Sequence, residues 1–376
     1  MQAFYIGLIS GTSRDGIEAA LALAEGPLGW TVRAHIHHPY PAALAADLER
    51  LTLAGSARYA DLGQLDAAIG EAFADAALAL MREAGVDRDS VRAIGSHGQT
   101  LFHGPDASPP FTWQIGDPFR IAERTGIDTV ALFRQRDMAA GGEGAPLACA
   151  LHAACFSHPE ITRAVINIGG ISNITWLRPG APVLGYDCGP GNTLMDGWIR
   201  GQRGLPYDDE GAWSAQGRVL EPLLASLRAD PFFTLPTPKT TGPEYFSPEW
   251  LARHLPADGG AGAGADVQAT LTELTATVIA DAVHAQQQDG EPCEVLVCGG
   301  GTRNTDLMRR LSRCLDGISV VETGSLGLPA DQVEAAAFAW LARQTIQSRA
   351  GNLPAVTGAR GPRILGCLIP GRLPSD

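Results

Sequence analysis

The chain has 376 residues, 45% of them hydrophobic, and a formal net charge of -13 at pH 7. Its length and hydrophobic content predict a large buried core and about two domains. The acidic balance disfavours nucleic acid as a partner, because non-specific binding to a phosphate backbone depends on Lys and Arg. The chain has one lysine, Lys239, and no Gly-Lys-Ser or Gly-Lys-Thr sequence, which excludes a Walker-type phosphate loop.

The cysteines and the apolar segments indicate a compartment. The seven cysteines are scattered, odd in number and without a Cys-x-x-Cys pair, which is typical of reduced thiols. No apolar stretch approaches the roughly 20 residues of a membrane span. We therefore expect a cytoplasmic protein with neither a membrane nor a nucleic acid as partner.

Two similar hairpins are predicted far apart in the chain. An apolar run at residues 4–9 leads through a glycine loop at residues 10–16 into alternating apolar residues, which predicts two strands joined by a tight turn. Residues 164–177 repeat this pattern around Gly169 and Gly170. The first loop lacks the Gly-x-Gly-x-x-Gly spacing, so dinucleotide binding is disfavoured. The repeat favours two related lobes.

The remaining segments predict alternating α/β structure. Strand ends are expected at residues 93–100 and 131–134, and the glycine-rich residues 139–146 are expected to link the lobes. Further on, the pattern predicts a helix capped by Asp266, a buried strand, two more helices and an irregular tail. The strand is predicted at residues 294–298, the two further helices at 306–315 and 334–343, and the tail at 351–376.

The loop at residues 10–16 has the composition of a triphosphate site. Its glycines allow close backbone approach, its hydroxyls can donate to phosphate oxygens, and Asp15 can hold a hydrated Mg²⁺. A plain hairpin turn with Ser/Thr and Asx bonding explains each residue equally well. Both interpretations stay open at this point.

Asp187 is the candidate general base. It follows an apolar strand and precedes a glycine turn and a helix, so we expect it at the carboxyl end of that strand, where α/β folds usually place catalysis. A helix cap or turn aspartate is the alternative.

The glycines Gly299, Gly300 and Gly301 follow another buried strand and would let a flat base lie on bare backbone, or would only form a tight turn. His97 and His103 have no metal-ligand spacing.

Taken together, the motifs resemble the anhydro-N-acetylmuramic acid kinase family. The matching segments run in order over nearly the whole chain: GLISGTSRDG at residues 7–16, GSHGQT at 95–100, FRQRD at 133–137, AAGGEGAP at 139–146, NIGGISN at 167–173, DCGPGN at 187–192, PKTTG at 238–242, DVQATL at 266–271, VCGGG at 297–301, Glu334 with AFAWL at 337–341, and GNLP at 351–354.

The resemblance implies an α/β fold of two actin-like, ribonuclease H-like lobes. Each lobe is expected to be a mixed sheet flanked by helices, with an ATP cleft between the two. The implied division places residues 1–133 in the N-terminal lobe, with the tail 346–376 packed on it, and residues 134–345 in the C-terminal lobe.

The resemblance also implies a reaction. Asp187 would activate water to open the 1,6-anhydro ring of 1,6-anhydro-N-acetylmuramic acid while O6 takes the γ-phosphoryl group of ATP, giving N-acetylmuramic acid 6-phosphate and ADP in peptidoglycan recycling. The sugar is expected to meet His97, Arg134 and Glu334, and Mg²⁺ is expected at Asp15. The residues implied in binding the nucleotide are Gly11, Thr12, Ser13, Arg14, Asp15, Gly16, Ile17, Glu18, Gly169, Gly170, Gly189, Asn192, Gly299, Gly300, Gly301 and Asn304.

Some positions depart from the family pattern. They are Arg14, Glu18, Leu132, Glu143, Pro243 and Glu322. Glu18 keeps a carboxylate where Asp is usual, whereas Leu132 and Pro243 remove polar groups near the expected ligand loops. Two alternatives therefore stay open, a kinase of another anhydro or amino sugar and a non-catalytic actin-like nucleotide-binding module. A homodimer also stays open.

Overall fold

A computed structural model describes residues 3–11, 14–25, 29–242, 244–255, 263–288 and 290–371. The chain packs as two compact units, unit 1 comprising Met1–Cys155 with Gln332–Asp376 and unit 2 comprising Phe156–Asp331. The strands are β1 (Phe4–Ser10), β2 (Gly16–Leu23), β3 (Thr31–Pro39), β4 (Val91–Gly104), β5 (Phe111–Ile115), β6 (Thr129–Ala131), β7 (Thr162–Ile168), β8 (Ile171–Leu177), β9 (Leu184–Pro190), β10 (Cys293–Cys298), β11 (Ser319–Glu322) and β12 (Cys367–Ile369).

The α-helices lie between these strands, singly or in runs of up to four. They are α1 (Ala42–Ala54), α2 (Tyr59–Ala84), α3 (Pro118–Thr125), α4 (Phe133–Ala139), α5 (Cys149–Phe156), α6 (Thr193–Arg203), α7 (Glu221–Arg228), α8 (Pro248–Ala252), α9 (Gly264–Gln286), α10 (Thr305–Cys314), α11 (Val333–Ile346) and α12 (Pro354–Thr357). Within the described ranges, we find no helix whose length and apolar character would let it cross a bilayer.

Unit 1 is built on a mixed sheet with strand order β12-β6-β4-β1-β2-β3, and β5 pairs with β4. The predicted first hairpin is confirmed, since β1 and β2 pair antiparallel, while β1 and β4 pair parallel. The strand end predicted at residues 93–100 is wrong, because β4 runs on to Gly104. Gly98 takes a φ of 76° inside that strand, a conformation that glycine adopts without strain.

Helices cover both faces of this sheet. Buried residues of α2, such as Ile69 and Phe73, join the core with Ile6 and Leu8 of β1. On the other face α11 lies so close that a Cβ on Gly7 would fall 1.8 Å from the carbonyl oxygen of Ala335. A glycine is therefore required at this point of β1, because any side chain would push the helix off the sheet.

The C-terminal segment is part of unit 1. The irregular tail predicted at residues 351–376 is confirmed for most of its described part, but the segment also contains α12 and β12, and β12 pairs antiparallel with β6. The fully buried Asp137 accepts hydrogen bonds from Asn352 Nδ2 at 2.7 Å, Thr357 Oγ1 at 2.8 Å and the backbone N–H of Gly144 at 2.9 Å. These bonds hold the glycine-rich residues 139–146 within unit 1.

The observed division of the chain differs from the one implied by the resemblance. Residues 134–155 and 332–345, which that division assigned to the C-terminal lobe, pack in unit 1. The reason is that α11 lies against β1 and β4 of the unit 1 sheet, while Asp137 links α4 to the C-terminal segment.

Unit 2 is built on a second mixed sheet, with strand order β11-β10-β7-β8-β9. The predicted second hairpin is confirmed, because β7 and β8 pair antiparallel. Helix α9 buries Val267, Leu271 and Leu274 in the unit 2 core. The predicted Asp266 cap is wrong, since Ala263 is the N-cap and the Asp266 carboxylate instead accepts the backbone N–H of Arg218 at 2.7 Å.

The predicted fold class is confirmed as α/β, with two mixed sheets flanked by helices. The seven cysteines, all among the described residues, are in the thiol form with no disulfide between them, which agrees with the prediction from their spacing.

Candidate active site

In unit 1, the loop after β1 is anchored by Gln99 of β4. Ser10 Oγ donates to Gln99 Oε1 at 2.6 Å, and Gln99 Nε2 donates to the carbonyl oxygen of Gly11 at 3.3 Å. The structure thus brings together two segments singled out in the sequence, residues 10–16 and residues 95–100. Thr12 and Ser13, both predicted to bind nucleotide, lie outside the described residues.

The rest of the described loop includes two exposed residues, Gly11 and the acidic Asp15. Arg14 has a φ of 57°, and burial lowers its pKa although the charge of Glu49 opposes this. Asp15 is exposed, and its carbonyl oxygen accepts the backbone N–H of Tyr40 at 3.1 Å. A Cβ on Gly11 would meet nothing within 4 Å. In the part of the chain that the structure describes, no three His, Cys, Asp or Glu side chains form a ready metal site.

Three further predicted nucleotide residues have structural partners in unit 1. Ile17 is fully buried in the core, and a Cβ on Gly16 would fall 2.6 Å from a carbonyl oxygen of β3. The Glu18 carboxylate lies 2.8 Å from His35 Nε2 and 2.8 Å from His37 Nδ1. Burial alone would raise the pKa of Glu18, but hydrogen bonds and charge from these two imidazoles outweigh it and lower that pKa.

The three residues predicted to bind sugar come together in unit 1. Arg134 Nε donates to His97 Nε2 at 2.9 Å, and Arg134 Nη1 donates to the carbonyl oxygen of Gly144 at 2.8 Å. The His97 ring packs on Phe338 of α11 with the ring centroids 4.6 Å apart. Glu334 lies one turn earlier on the same helix and is exposed. Its charge, with that of Asp137, favours the protonated Arg134.

The hydrogen bonds fix the protonation of this group. His97 Nε2 accepts from Arg134, so His97 Nδ1 carries the proton and donates to the carbonyl oxygen of Gly98 at 3.0 Å. Burial and the neighbouring Arg134 lower the pKa of His97 well below its usual value. Burial also lowers the pKa of Arg134 to about 10, which leaves the guanidinium charged at neutral pH. A neutral imidazole therefore orients a cation.

In unit 2, Asp187 is held by a neighbouring segment of backbone. Its own N–H donates to the carbonyl oxygen of Lys239 at 2.9 Å, and its Oδ2 accepts the backbone N–H of Thr241 at 2.9 Å. The expected position at the end of a strand is wrong, because Asp187 is the fourth residue of β9 and pairs with Asn173 of β8. Strand β9 is at the edge of the sheet, so residues 239–241 can bond to it from outside.

Two glycine turns and Asn192 also meet in unit 2. The carbonyl oxygens of Gly169 and Gly170 accept the backbone N–H groups of Asn192 at 2.8 Å and Thr193 at 3.1 Å, which caps the start of α6. Asn192 Nδ2 donates to the carbonyl oxygen of Ile168 at 3.3 Å. A Cβ on Gly300 would meet only this Nδ2, 4.0 Å away. Open space therefore lies over bare backbone beside Asn192.

The other predicted residues of unit 2 have packing roles. A Cβ on Gly299 would lie 2.4 Å from Asn167 Oδ1, and a Cβ on Gly301 would lie 2.3 Å from Ile168 Cγ2. A Cβ on Gly189 would fall 2.8 Å from the ring of Phe233. Asn304 Oδ1 accepts the backbone N–H of Leu307 at 2.9 Å and so caps α10.

Sequence reasoning assigned no role to the residues that hold Asp187 and the loop after β1. Gln99, Lys239 and Thr241 all lie in segments that match the family, yet their side chains carry no recognisable catalytic spacing. Only the pairing of residues 239–241 with β9 places Thr241 at Asp187. The presence of only one lysine in the chain was the sequence signal for this segment. Lys239 Nζ anchors it by donating to the carbonyl oxygens of Phe232 at 2.9 Å and Phe233 at 3.1 Å.

Comparison with known proteins identifies close relatives along the whole chain. Residues 3–371 match the protein family described as "Anhydro-N-acetylmuramic acid kinase". A protein of that name from Xanthomonas oryzae pv. oryzae is 49% identical over 97% of each chain. Another from Xanthomonas campestris pv. campestris is 48% identical, again over 97% of each.

Solved structures give more distant similarities. A ROK family glucokinase from Streptomyces griseus, in complex with glucose and AMPPNP, is 15% identical with a TM-score of 0.37, covering 91% of this chain and 100% of the other. Component A of the (R)-2-hydroxyglutaryl-CoA dehydratase of Acidaminococcus fermentans is 12% identical with a TM-score of 0.46, covering 89% of this chain and 96% of the other.

Proposed function

The chain belongs to the anhydro-N-acetylmuramic acid kinase family, and we propose that it phosphorylates 1,6-anhydro-N-acetylmuramic acid with ATP while opening the 1,6-anhydro ring. The products are N-acetylmuramic acid 6-phosphate and ADP, and the setting is peptidoglycan recycling in the cytoplasm. The observation that carries the proposal is the match over residues 3–371. It is supported by a carboxylate, Asp187, that backbone bonds hold in one orientation.

Asp187 acts as the general base in this proposal. It takes a proton from a water molecule as the water oxygen attacks the anomeric carbon, and the bond from that carbon to O6 breaks. O6 then accepts the γ-phosphoryl group of ATP. The bond between Asp187 Oδ2 and the Thr241 N–H stabilises the ionised carboxylate, the form that a base requires.

The glycine turns of unit 2 bind the nucleotide. The open space over Gly300, beside Asn192 Nδ2, is where a flat purine can lie on bare backbone. Gly299 and Gly301 shape the turn through their close packing, and Asn304 caps the helix that follows the turn. In unit 1, the loop at Gly11 approaches phosphate through its backbone.

The sugar is bound by His97, Arg134 and Glu334 in unit 1. Arg134 supplies a charged donor whose orientation is fixed by His97 and by the carbonyl oxygen of Gly144. Glu334, exposed one helical turn from Phe338, supplies a hydrogen-bond acceptor for a sugar hydroxyl.

Asp15 fits a Mg²⁺ ion that arrives with the nucleotide. Such an ion takes most of its ligands from phosphate and water and needs only one or two carboxylates, so the exposed Asp15 suffices where no cluster is preformed in the described residues. Bound Mg²⁺ would supply charge neutralisation of the phosphates.

Sugar-dependent release of ADP tests the proposed function. The wild-type protein is expected to release ADP with 1,6-anhydro-N-acetylmuramic acid and Mg²⁺, and to release little with ring-opened N-acetylmuramic acid or without sugar. Asp187→Asn keeps the size of the side chain and removes the base, so turnover is expected to fall by at least about 1000-fold while ATP binding by calorimetry is retained.

Three outcomes would contradict parts of this assignment. Equal rates with the anhydro and the ring-opened sugar would show that ring opening is not coupled to phosphorylation. Turnover only with a different anhydro sugar would move the protein to another substrate. Unchanged turnover in Asp187→Asn would remove Asp187 as the base.

A further inference from the structure

Residues 239–242 form a segment that lies along the outer edge of β9 at Asp187. Its backbone bonds to Asp187 twice, through the carbonyl oxygen of Lys239 and the N–H of Thr241, both at 2.9 Å. The segment is anchored in turn by Lys239. Besides its two bonds to the carbonyl oxygens of Phe232 and Phe233, Lys239 Nζ lies 4.6 Å from the centre of the Phe232 ring. The segment therefore has a defined position at the proposed base.

The Thr241 hydroxyl has no hydrogen-bond partner among the described residues, although its oxygen is buried. A buried hydroxyl without a partner is unfavourable, and such groups usually meet a water molecule or a ligand. The hydroxyl oxygen and the backbone nitrogen of one threonine are joined through three bonds, which places the two atoms roughly 3–4 Å apart. Because the Thr241 N–H bonds to Asp187 Oδ2, the unpartnered hydroxyl belongs to the residue that contacts the carboxylate. One water molecule can bridge both groups.

We propose that Thr241 orients the water molecule that attacks the sugar, acting together with Asp187. This inference rests on the proposed function and adds a positioning residue to it. The water has two protons, and a base takes only one of them. If the Thr241 hydroxyl accepts a hydrogen bond from the other O–H, one lone pair of the water oxygen is turned toward the anomeric carbon.

The chemical step balances with the groups already named. The water oxygen forms a bond to the anomeric carbon, one water proton passes to Asp187, and the bond from the anomeric carbon to O6 breaks with its electron pair on O6. O6 forms a bond to the γ-phosphorus, and ADP leaves with the electron pair of the broken phosphoryl bond. Thr241 keeps its proton throughout, and its only contribution is the orientation of the nucleophile.

Three variants test the role of the hydroxyl. Thr241→Val keeps the backbone N–H and the shape of the side chain but removes the hydroxyl, and kcat is expected to fall roughly 10- to 100-fold with KM for ATP unchanged. Thr241→Ser restores the hydroxyl and is expected to stay within about 3-fold of wild type. Thr240→Val is the matched control, because Thr240 is the exposed neighbour in the same segment, and its kcat is expected to be unchanged.

The pH dependence of kcat separates orientation from a structural effect. In Thr241→Val the bond from the backbone N–H to Asp187 persists. The acidic limb of the kcat–pH profile, where kcat falls because the base becomes protonated, is therefore expected at the same pH as in the wild type. A shifted limb, or a Thr241→Ser variant as slow as Thr241→Val, would show that the change displaced Asp187 and would overturn the inference. If Thr241→Val does not fold, Thr241→Cys replaces it, and a wild-type kcat in that variant, whose thiol accepts weakly, overturns the inference.

The same assay distinguishes this inference from the function on which it rests. A wild-type protein without sugar-dependent ADP release would overturn both. An active wild-type protein with an equally active Thr241→Val variant would overturn the inference alone.

Discussion

At the residue scale, neighbouring glycines of one turn have different physical roles. A Cβ on Gly301 would lie 2.3 Å from Ile168 Cγ2 and 2.6 Å from Ile168 Cβ, closer than packed carbon atoms can approach. A Cβ on Gly300 would meet only Asn192 Nδ2 at 4.0 Å. Neither glycine has a positive φ, so the difference comes from the surroundings and not from the backbone conformation.

This difference predicts that the same substitution affects stability at Gly301 and nucleotide binding at Gly300. Gly301→Ala overpacks the turn against β7, and we expect it to lower the free energy of unfolding by about 1–3 kcal/mol. Gly300→Ala is expected to change it by less than about 0.5 kcal/mol. It places a methyl group in the proposed nucleotide space, so KM for ATP is expected to rise several-fold.

Urea unfolding and ATP titration of the two variants measure these quantities. Each variant serves as the control for the other, because both add one methyl group to the same turn. A Gly300→Ala variant with wild-type affinity for ATP would place the nucleotide elsewhere.

At the element scale, α4 starts with an unusual residue. Leu132 is the N-cap of α4, has a φ of 62° and makes no side-chain capping bond. Leucine disfavours this left-handed conformation, whereas Asn adopts it more readily and can accept a backbone N–H. Leu132 is one of the positions that depart from the family pattern, and the φ of 62° gives a physical reason why a short polar side chain would be favoured here. Helix α4 carries Arg134 and Asp137, which makes its start relevant to the proposed site.

We expect Leu132→Asn to raise the free energy of unfolding by about 1 kcal/mol, through relief of the backbone and gain of a cap. Leu132 is 40% exposed, so the substitution also removes part of its apolar burial, and the control must therefore have a similar exposure. Leu205 is the matched control, because it is 47% exposed and has no positive φ. Leu205→Asn is expected to stay within about 0.5 kcal/mol of wild type. Equal effects of the two substitutions would contradict the argument from backbone conformation.

At the scale of the whole molecule, buried histidines make the stability depend on pH. Burial lowers the pKa of His103 and of His152 to about 4, and it lowers the pKa of His97 well below its usual value. In the unfolded chain an imidazole titrates near about 6.5. Between these values the unfolded state binds more protons than the folded state, so acid favours unfolding. The contribution of these neutral histidines to the free energy of unfolding is fully present above about pH 6.5 and is lost as the pH falls toward 4.

His152 gives the clearest test, because it is fully buried on α5 and burial is the cause of its lowered pKa. From pH 7 to pH 4.5 its contribution to the free energy of unfolding is expected to fall by about 2 kcal/mol. A His152→Gln variant cannot gain this proton and should lose that much less stability over the same range. Chemical unfolding of both proteins at the two pH values measures the difference, and equal losses would rule out a neutral buried His152.

Much of the architecture was determined by the sequence itself. The hairpins at residues 4–23 and 162–177 follow from apolar runs around glycine turns, and both are confirmed. Helix α11 follows from its alanine-rich composition and strand β10 from its apolar run, so both depend on local sequence as well. Such patterns are readable because the hydrogen bonds and the buried face of an element depend mainly on residues near in the chain. The family was readable for a different reason, since its motifs recur in order along the chain.

The tertiary structure decided which residues act on which. The sequence indicated Asp187, but the position of Asp187 in mid-strand, and the backbone bonds from residues 239–241, depend on pairing between segments about 50 residues apart. The Arg134–His97 bond and the Asp137–Asn352 bond likewise join distant segments. Contacts of this kind leave no periodic trace, because they are selected by the packing of the whole unit. For that reason the sequence indicated no role for Thr241, whereas the structure shows that its N–H bonds to Asp187 and that its hydroxyl is buried without a hydrogen-bond partner among the described residues.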